Sequence, residues 1–354
     1  MPHDRSGECK CDGGVWRCPA GCGGRGPTVK CRVFGSRGGP DLLTIINILS
    51  PVFLIVFLGW ALARSGFLSR GALQEVNGLS YWFGLPALLV HKIASASPEL
   101  EAVTGLIAVL TATTLFGIAA ASAAAWAMRL PRSAVGTFVQ GVFRGNLTFV
   151  GLPVVLYAFS GAGSAGASAE SSALLAFGPA VVLYNILAVA VLLVPGEAGR
   201  GSGTVRRAVY GLLTNPILLA CIVGLVLSLG GIRLPSLVER TLSAVGQMAL
   251  PLALICIGGS LYWTRVRGEF GRAGAGAVMK VAVMPAAGLC LAWWLGLSPE
   301  HTRIVGILLA CPTASASYLL ATQLKGDGGL ASSIIVLSNL LAVPALVVVL
   351  LVTA

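Results

Sequence analysis

The stretch Ser50–Gly66, SPVFLIVFLGWALARSG, returns 165 residues later as Asn215–Gly231, NPILLACIVGLVLSLGG. Pro51 falls on Pro216, Gly59 on Gly224 and Gly66 on Gly231. The register runs on without a gap to Ser95 and Ser260, carrying the Leu85–Pro86 pair onto Leu250–Pro251. Only 9 of the 46 aligned pairs are identical, so the case rests on which residues match, namely the prolines and glycines that punctuate helices. A second block, Val182–Val189 (VLYNILAV) against Val336–Val343 (VLSNLLAV), agrees at six of eight positions with a spacing of 154. A longer loop in the first copy accounts for the change of spacing. Duplication inside an apolar chain is the mark of a secondary transporter built from two repeats, with its substrate site between them.

Hydrophobic residues make up 56% of the chain and charged residues 10%, against about 25% charged in a soluble domain. Such a chain belongs in a bilayer, where about 20 apolar residues span the hydrocarbon as a helix. Ten stretches qualify, near 42–63, 72–94, 101–128, 134–158, 171–194, 209–229, 237–260, 274–296, 303–323 and 330–352. Five spans per repeat is an odd number, so the second copy enters from the opposite side. The expected fold is an all-α integral membrane protein of ten transmembrane helices in two inverted five-helix repeats, 41–194 and 209–354, joined by a short cytoplasmic linker, 195–208.

The net charge of +11 does not point to nucleic acid, because the basic residues sit in short loops between apolar spans and set topology. One side carries Arg64, Arg70, Arg129, Arg132, Arg200, Arg206, Arg207, Arg265, Arg267, Arg272 and Lys325, and the other only Lys92, Arg233, Arg240 and Arg303. The positive-inside rule makes the first side cytoplasmic, so both chain ends face outward across the plasma (inner) membrane. Residues 1–40 hold seven basic residues of their own and Cys9, Cys11, Cys18, Cys22 and Cys31. Their C-x-C and C-x3-C spacings lack the paired C-x2-C pattern of a zinc site, so no metal or cofactor is expected. This tail reads as a disordered extension or as residues upstream of the true start. Cys221, Cys256, Cys290 and Cys311 lie in spans and read as small apolar packers.

The fourth span contains Phe143-Arg144-Gly145-Asn146-Leu147-Thr148-Phe149-Val150-Gly151-Leu152-Pro153. Proline removes a backbone donor and glycine loosens a helix, so this span is expected to break near its centre. The ninth span, with Ala310-Cys311-Pro312-Thr313-Ala314-Ser315-Ala316-Ser317-Tyr318, is expected to break likewise. At a spacing of 165, Asn146 falls on Cys311 and Thr148 on Thr313. Freed backbone groups survive at membrane depth only where they line protein or water, and two interrupted helices in matching positions mark a transporter's binding site. Half-helix N-termini there favour an anion. Arg144 needs a partner, either backbone carbonyls or an anionic substrate, unless it snorkels to the surface. Asn146, Thr148, Thr313, Ser315 and Ser317 supply neutral hydrogen-bonding groups, with Asn185 and Asn339 as further candidates; all of these also suit interhelical contacts. Lys280 is read as snorkelling from the cytoplasmic end of its helix, and His91 with Lys92 as an interfacial anchor.

Ser50–Gly66, Leu85–Leu89 (LPALL), Gly145–Pro153 (GNLTFVGLP), Ile257–Leu261 (IGGSL) and Ala310–Ala321 (ACPTASASYLLA) together resemble the auxin efflux carrier family, in its bacterial malonate- or malate-permease branch. The resemblance implies two inverted five-helix repeats, a fold related to bile-acid sodium symporters, and homodimers. It also implies a scaffold of the first, second, sixth and seventh helices, past which the other six move as an elevator. In plant members the substrate carboxylate lies near the fourth-helix asparagine and the prolines of both broken helices, which here are Asn146, Pro153 and Pro312. Residues 195–208 are too short for the plant family's long central loop, and Arg144 before the Gly-Asn pair resembles the bacterial branch. A small mono- or dicarboxylate is therefore the expected substrate. The alternatives are a sodium- or proton-coupled symporter or antiporter of the same fold, or a membrane sensor that does not transport. Antiporters need carboxylates at the crossing, and none occurs there. An enzyme is not expected, since no H-E-x-x-H motif and no serine with a nearby base is present.

Overall fold

The computed structural model describes residues 10–12, 15–17, 42–95, 100–159, 163–193, 214–263 and 270–353. Within the tail, Lys10–Asp12 (β1) and Val15–Arg17 (β2) form an antiparallel ribbon. The rest of the tail and the expected linker 195–208 lie outside the described residues.

From Leu42 onward the described chain is helical. The helices are α1 (Leu42–Arg64), α2 (Arg70–Leu79), α3 (Leu85–Ala94), α4 (Leu100–Ala127), α5 (Arg132–Phe143), α6 (Leu152–Phe159) and α7 (Gly163–Leu193). They continue as α8 (Pro216–Leu229), α9 (Ser236–Trp263), α10 (Phe270–Val278), α11 (Met284–Trp294), α12 (Pro299–Ala310), α13 (Ala316–Gln323) and α14 (Gly328–Val352). Val103–Ala127, Ser168–Leu193, Ser236–Trp263, Phe270–Trp294 and Gly328–Val352 are each long and apolar enough to cross a bilayer. Leu54 and Phe57 on α1, Leu219 and Val226 on α8, and Leu340 on α14 are exposed, the outward apolar face that lipid requires. Trp126 and Trp294 stand exposed at the ends of α4 and α11, where amphipathic rings meet the headgroups. Cys221, Cys256 and Cys311 are buried packers as expected, whereas Cys290 is exposed on α11.

Local chemistry starts and stops these helices. Asn215 accepts from the amides of Ile217 and Leu218 ahead of Pro216, and Asp327 accepts from Leu330. Gly66 and Gly231, matched in the sequence repeat, both take positive φ (79° and 62°) just past α1 and α8. Three π-turns, Ser80–Gly84, Leu147–Gly151 and Met279–Val283, each precede a proline by one residue: Pro86, Pro153 and Pro285. A proline ring crowds the carbonyl four residues back and offers that carbonyl no donor. Widening the turn to i→i+5, as in Leu85 N–H to Ser80 O, absorbs the conflict without ending the helix.

Packing falls into two groups. In one, α1 lies along α9, and α3 lies against α8 and α9. Gly59 abuts the Ile255 backbone and Gly258 abuts the Val56 carbonyl, so α1 and α9 approach as closely as small residues allow. In the other, α4 packs on α5 and α7, α10 on α14, and α11 on α12. Between the groups, Lys92 on α3 pairs with Glu170 on α7 at 3.1 Å. That pair is part-exposed and contributes at most about 1 kcal/mol.

Replacing Gly258 with valine is expected to force α1 and α9 apart and to destabilise the protein by about 1–3 kcal/mol. A lowered thermal midpoint in detergent checks this, and an unchanged midpoint refutes the close contact.

Candidate functional site

The fourth expected span is broken: α5 stops at Phe143, Arg144–Asn146 leave the helical path, and helix resumes at Leu147. The ninth is broken too, between the end of α12 at Ala310 and the start of α13 at Ala316. The two interrupted segments pair with each other. Gly145 and Thr313 form an antiparallel bridge in which Asn146 N–H donates to Pro312 O at 2.7 Å and Ala314 N–H to Arg144 O at 2.9 Å. Backbone groups that water would satisfy elsewhere thus satisfy one another in an apolar interior. The bridge joins positions 168 residues apart, with Asn146 opposite Pro312 and Arg144 opposite Ala314.

Side chains complete the satisfaction. Thr313 Oγ1 donates to Gly141 O at 2.7 Å, while its amide donates to Ser338 Oγ at 3.0 Å. Gln140 Nε2 donates to Ser317 O at 2.9 Å, tying α5 to α13. Asn146 Oδ1 accepts from Phe149 N–H at 3.2 Å and so caps the second half of its span. Arg144 does not snorkel: it is 8% exposed, and its Nη2 donates to Asn185 Oδ1 at 2.6 Å. The Tyr81 ring, on the Ser80–Gly84 turn, lies within electrostatic reach of the same guanidinium.

Four buried polar atoms here have no hydrogen-bond partner: Arg144 Nη1, Asn146 Nδ2, Gln140 Oε1 and Ser317 Oγ. The first two are donors on side chains exposed by only 8% and 4%. A buried donor left unpaired costs about 1–3 kcal/mol, more when charged, so a pair of them beside freed backbone is a place for an acceptor.

The structure thus brings Arg144, Asn146, Pro312, Thr313, Ser317 and Asn185 together, with Pro153 buried just past the Leu147–Gly151 turn. Thr148 is half-buried beside them. Two expected residues stand apart. Ser315 is exposed and makes no capping hydrogen bond. Asn339 bonds back to Ile335 O on its own helix, and its neighbour Ser338 makes the link instead.

Lys280 corrects the sequence reading most. It is 0% exposed, and its Nζ donates to Leu309 O at 2.7 Å at the end of α12. The helix begins at Phe270, earlier than the expected 274, and the π-turn at Met279–Val283 turns the side chain inward. Lys280 thus sits mid-span rather than at the surface. A lysine inside an otherwise apolar span was the available signal.

Paired helix breaks inside a bundle of apolar helices define a multi-pass membrane protein with an internal polar site. Residues 44–199 and 204–350 match the family described as membrane transport protein. The chain belongs to this family, that of the auxin efflux carriers. No curated protein matches it.

Thr313→Val keeps the shape of the side chain but leaves Gly141 O unpaired, and is expected to cost about 1–3 kcal/mol. Thr313→Ser keeps the hydroxyl and should stay close to wild type. Thermal unfolding of both variants in detergent compares them, and equal midpoints would remove the Gly141 bond from the account.

Proposed function

We propose that the protein carries small organic anions across the membrane by alternating access, holding a substrate carboxylate at the paired breaks. The observation that carries this reading is the pair of unpartnered, buried donors, Arg144 Nη1 and Asn146 Nδ2. A carboxylate is acceptor-only, and charge-assisted bonds to it are the strong kind. Thr148, Thr313 and Ser317 line the approach, with Ser315 at its exposed edge; Pro153 and Pro312 keep the breaks open, and Asn185 orients Arg144. Asn339 is a peripheral contact in this scheme.

The reading takes the chain as ten spans in two inverted repeats, 41–194 and 209–354, with termini outside and the 195–208 linker in the cytoplasm. Its support is recurrent local structure. Met128–Leu130 closes α4 with Leu130 N–H on Ala125 O, and Leu295–Leu297 closes α11 with Leu297 N–H on Ala292 O. Arg129 and Gly296 hold positive φ at equivalent points. In the elevator mechanism that the family implies, α1–α3, α8 and α9 are the fixed scaffold, paired with a second copy as a homodimer. The remaining helices move with the substrate.

Uptake of radiolabelled malonate into proteoliposomes tests the function, run with no gradient, a sodium gradient and a proton gradient. Saturable uptake competed by unlabelled carboxylates is expected. Stimulation by one gradient identifies a coupled symporter or antiporter, and no uptake from folded protein supports a sensor or another substrate. Asn146→Ala is expected to abolish uptake while the protein stays folded, and wild-type rates would remove it from the site. Arg144→Gln is expected to weaken dicarboxylates more than monocarboxylates, about tenfold or beyond for a lost charged contact. Equal losses for both would make the arginine structural.

A further inference from the structure

The two breaks leave equivalent carbonyls to be satisfied, and they are satisfied differently. In an unbroken helix Gly141 O would accept from the Gly145 amide, and Leu309 O from the Thr313 amide. Gly145 and Thr313 are the bridging pair, so both carbonyls lose their donors together. Gly141 O is taken by the neutral hydroxyl of Thr313 at 2.7 Å. Leu309 O cannot be taken in the mirror-image way, because the residue corresponding to Thr313 is Gly145, which has no side chain. Lys280 Nζ takes it at 2.7 Å, and a Cβ placed on Gly145 would meet that nitrogen at 3.2 Å. The ammonium occupies the room that a side chain at 145 would fill.

A hydroxyl is enough at one break, yet a full charge stands at the other. Among the described residues, no carboxylate stands beside that charge. The elements packed on the Met279–Val283 turn are α5, α10, α11, α12 and α14. Their ionisable residues, apart from Lys280's neighbour Cys311, the Arg144 cap of α5 and the exposed Cys290 on α11, lie in first turns or caps: Arg132 and Arg272 near the starts of α5 and α10, Glu300, His301 and Arg303 at the start of α12, and Asp327 capping α14. Arg144 reaches Asn185 on α7, while Lys280 meets Gly145 from the α10–α11 side. Cations therefore flank the paired breaks on both sides.

We infer that Lys280 is a positioning residue whose charge, beyond its hydrogen bond to Leu309 O, sets the site's affinity for anions. The inference rests on the anion-carrier reading above. It assigns the positive potential at the breaks to two residues, where the sequence offered Arg144 alone. A fixed charge in a water-excluded site acts on an anion without touching it.

The test separates charge from capping. Lys280→Gln keeps a donor and loses the charge, whereas Lys280→Arg keeps both. In Lys280→Met the side chain stops one atom short of the ammonium, and a threonine added at Gly145 returns a hydroxyl to that place. Malonate uptake in proteoliposomes and thermal midpoint in detergent are measured for all of these. The expected result is a rise of about tenfold or more in the malonate KM for Lys280→Gln and for the Lys280→Met/Gly145→Thr double variant. The double variant should recover the thermal midpoint that Lys280→Met loses, and Lys280→Arg should keep a KM near wild type. A wild-type KM in Lys280→Gln or in the double variant overturns the inference and leaves Lys280 a cap. Absence of saturable anion uptake by the wild-type protein instead overturns the carrier reading on which it rests.

Discussion

A backbone carbonyl or amide inside an apolar bundle must find a partner within the protein, and the rest of this structure follows from how two interrupted helices meet that demand. Each break releases groups that a continuous helix would have paired. The segments 144–146 and 311–315 pair with each other, and Thr313, Ser338 and Lys280 take what remains. Nothing in this arrangement is local, since the donors to Gly141 O and Leu309 O come from 172 and 29 residues away. The breaks are therefore held open by tertiary contacts, although prolines and glycines initiate them.

Part of the same demand is met by a cationic side chain: Lys280 donates to Leu309 O, whereas Arg144 donates to the side chain of Asn185. Burying such charges without carboxylate partners is costly at membrane depth. Arg144 and Asn146 retain unpaired donors after the backbone is satisfied. In the proposed reading, a bound anion offsets that cost. The scheme also separates duties: Thr313 and Ser338 hold the geometry, and Arg144 and Asn146 remain free to bind.

Much of this was legible in the sequence, and the exceptions have identifiable causes. Of the duplicated prolines and glycines, Gly66 and Gly231 mark helix ends, as their positive φ shows, whereas Pro51 and Pro251 lie inside continuous helices. The breaks near Arg144–Asn146 and Cys311–Ser315 fall where Gly145 and Pro312 place them. Lys280 was misread because its helix starts earlier than hydropathy indicated and because a π-turn shifts the phase that a 3.6-residue period assumes. Ser338 was passed over for Asn339 because the recurring asparagine was the more conspicuous residue. One position of rotation on α14 decides which of the two reaches Thr313.

The sequence by itself determined that the chain is a doubled set of apolar spans, where those spans are interrupted, and that arginine and asparagine stand at the first interruption. Those properties are written in composition, period and the special backbone demands of proline and glycine, all of which act over a few residues. The tertiary structure alone decided that Gly145 meets Thr313 and that Lys280 closes the second break. Those outcomes depend on which distant side chain reaches a freed carbonyl, and the packing of separate helices settles that choice.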